Sequence, residues 1–312
     1  MSARRPSDAW FLVGRAAVSV TLLWLVFRYV DAGGVRARLA ELDPLWVLLG
    51  LAVSVLQVGV LAWRWRYTAA RLGIDLPLRE ALSEYYLGIL LNQLLPGGVT
   101  GDVSRAWRHA RTDAPSGPAV RAVILERASA QVVMTLVAFA SLLVLPWASG
   151  AVRVALAVMT AGVLGVAVSA VARGSESESR LGRFWEDTRR ALLTRDVYAV
   201  QLGSAVLVVG SYIGIFLVAA RALGIETPTA TVLPLVAPVL MTMLIPVTVA
   251  GWGIREASAA GLWGLMGLTP EDGAAISVTY GLLVLVSSAP GVIALTLALI
   301  GGRGRRARHP RG

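Results

Sequence analysis

Six apolar runs, each about as long as a bilayer crossing, constrain this chain more than anything else in it: residues 10–30, 45–63, 118–147, 151–172, 199–221 and 273–300. In lipid every backbone polar group must be satisfied internally, so runs of this kind are expected to be helices. Two further hydrophobic segments, near 80–95 and 230–249, run into polar breaks and bring the number of hydrophobic elements to eight. A composition of 56% hydrophobic and 15% charged residues, with mean hydropathy +0.68, agrees with this pattern. The expected fold class is an all-α polytopic membrane protein. The run from Trp10 to Val30 follows Arg4 and Arg5, exceeds a signal-peptide core in length and lacks a small-residue cleavage site, so it reads as an uncleaved first span.

The formal charge of +10 is carried by arginine alone, because the sequence contains no lysine. Arginine gathers at 4–5, 64–71, 105–121, 173–195 and 303–311, whereas the linkers near 146–153, 221–229 and 267–272 hold little of it. The positive-inside rule then puts the first group, and both termini, on the cytoplasmic side of the cell membrane. The linker at 31–44 is mixed, with Arg36 and Arg38 set against Asp31, Glu41 and Asp43. Charge so distributed suits anionic inner-leaflet lipid, and no nucleic-acid partner is expected. Cysteine is absent, which excludes disulfides and thiol chemistry. His109 and His309 are the only imidazoles, and without clustered carboxylates neither a metal site nor a cofactor is expected.

The two breaks run Pro96-Gly97-Gly98-Val99-Thr100-Gly101-Asp102-Val103-Ser104-Arg105 and Pro246-Val247-Thr248-Val249-Ala250-Gly251-Trp252-Gly253-Ile254-Arg255-Glu256. Helix breakers and charges at membrane depth persist where the backbone lines a cavity or packs on protein. If 80–95 crossed fully, Arg105, Arg108, Arg111 and Arg121 would face outward, against the charge rule. Residues 80–116 are therefore read as a broken helix re-entering from the cytoplasm, and 230–268 as its counterpart from outside. Six spans remain, in two halves of opposite orientation, 10–147 and 151–300, as in inverted-repeat transporters. An amphipathic connector is expected over 173–198, with Leu181, Phe184, Trp185, Thr188 and Leu192 opposite its charges, and a basic cytoplasmic tail over 303–312.

At the first break the candidate binding residues are Asn92, Gly97, Gly98, Asp102 and Arg105, with Gln93 beside them. Thr100 or Asp102 is placed to cap a new helix, whose N-terminal amides would attract phosphate. Arg105, Arg108 and Arg111 stand three apart and so share one side of it, where guanidinium can grip phosphate. The plainer reading pairs Arg105 with Asp102 and leaves the other two as ordinary cytoplasmic arginines. At the second break the candidates are Gly251, Gly253, Arg255 and Glu256, next to Trp252. Neighbours in sequence do not face each other on a helix, so crosswise pairing is expected: Glu256 with an arginine of the first half, Arg255 with Asp102 or Glu126. The plainer reading is mutual neutralisation that locks the halves together. Gln93, Glu126 and Trp252 are assigned gating or secondary roles, Arg127 a helix-end anchor with a snorkelling stem, and Gln57, Gln131 and Arg15 interhelical or interfacial contacts.

The pattern Asn92, Pro96, Gly97, Gly98, Gly101, Asp102, Arg105, with Pro246, Gly251, Gly253, Arg255 and Glu256, resembles the lysylphosphatidylglycerol synthase transmembrane family, a flippase-like domain. The resemblance implies a lipid translocator rather than an enzyme. Its cargo would be an anionic or aminoacylated phospholipid, or a polyprenyl-phosphate-linked lipid, carried across the cytoplasmic membrane. No soluble aminoacyl-transferase domain is expected, so that activity is not carried over. Two other readings stand beside it. One is a membrane-embedded enzyme on lipid phosphates with Asp102 or Glu256 as general base, although the spaced aspartates that a magnesium site needs are missing. The other is an accessory scaffold for a separate synthase or glycosyltransferase. Without lysine there is no Gly-x4-Gly-Lys-Ser/Thr loop, and direct ATP hydrolysis is not expected.

Overall fold

The computed structural model describes residues 6–29, 32–95, 100–110, 116–146, 149–172, 180–245 and 247–297. Its elements are α1 (Pro6–Tyr29), α2 (Ala32–Ala40), α3 (Pro44–Arg71), α4 (Leu78–Leu94), α5 (Thr100–His109), α6 (Ser116–Leu143), α7 (Gly150–Ala172), α8 (Arg180–Thr188), α9 (Tyr198–Ala222), α10 (Thr229–Met241), α11 (Ile254–Leu265) and α12 (Pro270–Ser287). No strand occurs among the described residues. Among the described residues four helices are long and apolar enough to cross a membrane: Pro44–Arg71, Gly117–Leu143, Tyr198–Ala222 and Pro270–Leu297. Shorter apolar stretches lie at Ala16–Val26 in α1, Arg153–Gly162 in α7 and Thr229–Leu244.

Local chemistry sets the boundaries. Asp43 caps α3 by accepting the Leu45 amide at 2.8 Å, with Pro44 in the first turn where its missing N–H costs nothing. Pro270 opens α12 in the same way, followed by Glu271 and Asp272, whose charges suit a helix N-terminus. Pro234 and Pro238 lie within α10, which tightens into a 3-10 turn at Thr242–Leu244 just before the second break.

The order long, short, short, long occurs twice, in α3-α4-α5-α6 and in α9-α10-α11-α12. Contacts follow that order. α3 lies against α6 and α9 against α12; α4 lies against α5 and α10 against α11; α3 also meets α9. Across the two sets, α6 packs on α10, while Gly291, beyond the end of α12, abuts Tyr86 and Leu90 of α4. Large aromatics fill the centres: Trp65 and Tyr85 in one, Phe216, Trp263 and Tyr280 in the other.

Helix also forms where the sequence carries no long apolar run. The mixed linker at 31–44 folds into α2, which packs on α12 and is tied to it by Arg38 and Asp272 at 3.2 Å. The connector is not one amphipathic helix. α8 ends at Thr188 and gives way to a π turn over Arg189–Leu193, and the unit docks on protein through the Arg121–Asp187 ion pair and a Gln201 side-chain amide donating to the Ala191 carbonyl at 2.9 Å. Its apolar side therefore meets α3 and α6 as well. Residues 173–179 and the tail at 303–312 lie outside the described residues.

Candidate functional site

The two short helices that flank the first break, α4 and α5, are held at backbone contact. A Cβ on Gly101 of α5 would overlap the Gly88 carbonyl of α4, so glycine at 101 sets how closely the two approach. At this crossing Asn92 accepts the Gly101 amide at 2.7 Å and donates to Asp102 at 3.5 Å. Asn92 thus satisfies an orphan amide of α5 from the preceding helix, a task the sequence suggested for Thr100 or Asp102. Asp102 instead turns its carboxylate to arginines. Gly97 and Gly98 lie outside the described residues.

Arg105 is 1% exposed and sits between aromatic faces, its guanidinium carbon 4.0 Å from the Tyr85 ring centre and 4.5 Å from that of Trp65. Its Nη2 lies 3.1 Å from Asp102 Oδ1 and 3.3 Å from Glu126 Oε2. The same Glu126 oxygen accepts the Tyr85 hydroxyl at 2.5 Å, while Oε1 faces Arg64 Nε at 3.9 Å. Arg64 is fully buried and donates to the Gln201 carbonyl at 2.9 Å, to Ser129 Oγ at 2.8 Å and to Ser204. Glu126, read from the sequence as a secondary residue near the start of a span, is therefore the hub joining α3, α4, α5 and α6. A buried carboxylate is tolerable when compensated, and here two guanidiniums and a phenol do so.

The presumed arginine row splits. Arg108 donates to Glu84 at 2.8 Å on a part-exposed face, apart from Arg105, and Arg111 lies outside the described residues. Arg64 and Tyr85 escaped sequence reading, although a signal existed. Ser54, Gln57, Arg64 and Thr68 recur at spacings of three, seven and four, one helical face, and all four are buried.

Arg127, expected as a helix-end anchor, lies within α6, reaches Asp102 Oδ2 at 3.6 Å and keeps its side chain 41% exposed. Around the first break three arginines (64, 105 and 127) thus meet two carboxylates (102 and 126) among the described residues.

The second break is closed upon itself. Crosswise pairing does not form: Arg255 Nη2 lies 2.7 Å from Glu256 Oε1, and Ser277 of α12 bridges both, accepting from Arg255 and donating to Glu256 at 2.9 Å each. Glu256 also reaches back to the Gly253 amide at 2.6 Å, half of a capping box. That backward reach is why sequence neighbours meet here, since in the first turn the carboxylate swings off its usual helical direction. Arg255 lies over Trp252 and Tyr280, with ring centres at 4.9 and 5.3 Å. Ala250, Gly251 and Gly253 all have positive φ (50°, 78° and 91°), a cost of roughly 1–2 kcal/mol for the alanine. Protein holds them there: the Val249 amide donates to Ser19 Oγ of α1 at 2.7 Å, Gly251 abuts Met243 and Gly253 abuts Leu22. These glycines approach protein, side chain and backbone, rather than open space.

A cavity of about 760 Å³ lies between the breaks. Asn92, Gln93, Asp102 and Glu126 line it, together with Arg127 and Gln131. Its far wall comes from the second set of helices: Tyr212, Met241, Met243, Ala250 and Tyr280. Arg105, Gly251, Trp252, Gly253, Arg255 and Glu256 are packed behind these walls and do not line it. No group of three or more His, Asp or Glu side chains fit to hold a metal occurs among the described residues.

The family described as "Lysylphosphatidylglycerol synthase TM region" matches residues 12–291. Among curated proteins no relative matches. The matched stretch spans both breaks and the cavity between them, and the family is the transmembrane region of such synthases.

Proposed function

Since the chain belongs to the lysylphosphatidylglycerol synthase TM region family, a multi-pass membrane domain linked to lipid, we propose that it moves a lipid with an anionic head group across the cell membrane. The single observation that carries the reading is the excess arginine at the first break. Arg127 is the part-exposed member and lines the cavity, where it meets Asp102 at 3.6 Å and the hydroxyl of Tyr212. An arginine at the centre of a membrane helix costs about 2.5–3.5 kcal/mol on insertion scales, and a phosphate entering the cavity offsets that cost with bidentate bonds. Asn92, Asp102 and Gln93 frame the head group, and Arg105 holds Asp102 in place from behind. The cargo is an anionic or aminoacylated phospholipid, or a polyprenyl-phosphate-linked lipid. Translocation of this kind makes and breaks no covalent bond.

In the same reading, residues 10–147 and 151–300 are halves of an inverted repeat whose breaks re-enter from opposite faces. Support comes from the repeated long-short-short-long order and from the reciprocal packing of α6 on α10 and of Gly291 on α4. The native chain lacks cysteine, so single cysteines report topology. One at 113 should resist an impermeant thiol reagent added outside and one at 270 should react; the opposite pattern would exclude the arrangement.

The functional test is reconstitution in liposomes holding fluorescent phosphatidylglycerol, an aminoacylated derivative or a polyprenyl phosphate. Arg127→Ala should slow transbilayer movement roughly tenfold, the effect of one lost charge-assisted contact. If no lipid moves faster than in protein-free liposomes, the reading fails.

A further inference from the structure

We infer that the acyl chains of the carried lipid leave the cavity through a mouth formed by Val103 and Trp107 of α5, Ile124 of α6 and Leu244 before the second break. The inference rests on the translocator reading and specifies where that site opens to lipid. An exposed apolar side chain on a membrane helix is ordinary in itself. These four differ from other exposed apolar residues because they also line the cavity, while remaining 64%, 57%, 46% and 45% exposed. They therefore stand where interior and outer surface meet. The lining from α3 and α9 is shut, with Leu61, Val208 and Val209 at 4%, 1% and 3% exposure.

The order of chemistry along the helices fits a phospholipid. On α5, Val103 and Trp107 lie four apart and so on one face, next to Asp102. On α6, Ile124 precedes Arg127 by three residues, which puts the apolar rim within about one turn, roughly 5 Å, of the exposed guanidinium. A phosphate on Arg127 thus leaves the attached chains at Ile124 and Trp107. Charge complementarity selects the occupant: Arg127 lines the cavity beside the polar side chains of the first break, whereas the mouth and most of the remaining wall are apolar, with Gln131, Tyr212 and Tyr280 the polar exceptions. A soluble phosphate would need the first feature and not the second.

The test places a small thiol-reactive fluorophore on Met134→Cys, a cavity-lining position only 8% exposed, in nanodiscs of phosphatidylglycerol carrying a nitroxide on either the acyl chain or the head group. Quenching by the acyl-chain nitroxide is expected, and Ile124→Trp, which fills the mouth without adding charge, should remove most of it. Val158→Trp, on a still more exposed face of α7 that does not line the cavity, should leave it intact. Val103→Trp gives an independent plug should Ile124→Trp not fold. Absence of acyl-chain quenching at 134, or quenching that survives both plugs, overturns the inference. Occupancy is read here without transport, so quenching that persists while no lipid crosses would fault the translocator reading alone.

Discussion

The two breaks share a plan and differ in charge balance. Each sets an arginine nine residues after a proline, buries it at 1% exposure and lays it between two aromatic rings beside a buried glutamate. At the second break Arg255 and Glu256 cancel each other, Ser277 fills their remaining valences and α1 clamps the strained backbone. At the first break the counter-charge is shared: Glu126 serves Arg64 and Arg105, Asp102 serves Arg105 and Arg127, and one guanidinium is left facing the cavity. Repetition of a motif therefore does not imply repetition of its role. On the proposed reading, the unbalanced copy is the place where an anion gains most.

The sharpest way to break this comparison is to remove the shared hub. Glu126→Ala leaves Arg64 and Arg105 buried with too little counter-charge and should cost about 3–5 kcal/mol of stability, read as a lowered unfolding midpoint in detergent. An unchanged midpoint would mean that the hub is incidental. Next in size, Gly101→Val forces α4 and α5 apart; overpacking of this kind costs about 1–3 kcal/mol and should also distort the cavity, so both melting and transport report it. Smaller still, exchanging the closed pair for apolar residues, Arg255→Met with Glu256→Leu, should change stability by no more than about 1–2 kcal/mol and leave transport largely intact, because a self-neutralising buried pair is replaceable. Loss of transport in that double variant, with folding preserved, would give the second break a role in binding. The least effect belongs to Arg38→Gln, whose partner Asp272 lies in a partly exposed ion pair; a shift within about 1 kcal/mol is expected.

Much of the architecture was legible from apolar run length. The runs at 45–63, 118–147, 199–221 and 273–300 coincide with the four helices able to cross a membrane, because a bilayer demands both length and apolarity. The breaks were legible too, since proline and glycine disfavour helix: α4 ends at Leu94 and α5 starts at Thr100, and Gly251 and Gly253 take positive φ just before α11. Less was legible at the site. Asn92, Asp102 and Arg105 were read as neighbours and are neighbours, being close in sequence. Glu126 and Arg127 follow closely on a basic stretch and so read as residues of the cytoplasmic boundary, and only packing brings both to the cavity, one on Arg64 and Arg105, the other on Asp102. Arg64 was missed because its partners, Ser129, Gln201 and Glu126, are 62 or more positions away in sequence.

Sequence alone determined that this chain is helical, belongs in a membrane and interrupts two of its apolar segments with proline, glycine and arginine. Those properties depend on local chemistry, which hydropathy and backbone preference express directly. Tertiary structure alone decided that Glu256 turns back on its own helix, that Glu126 joins four helices and that Arg127 is the charge left over. The reason is physical. In a low-dielectric interior a charge is placed by whichever counter-charge and donors converge on it, and that convergence exists only once the helices are packed.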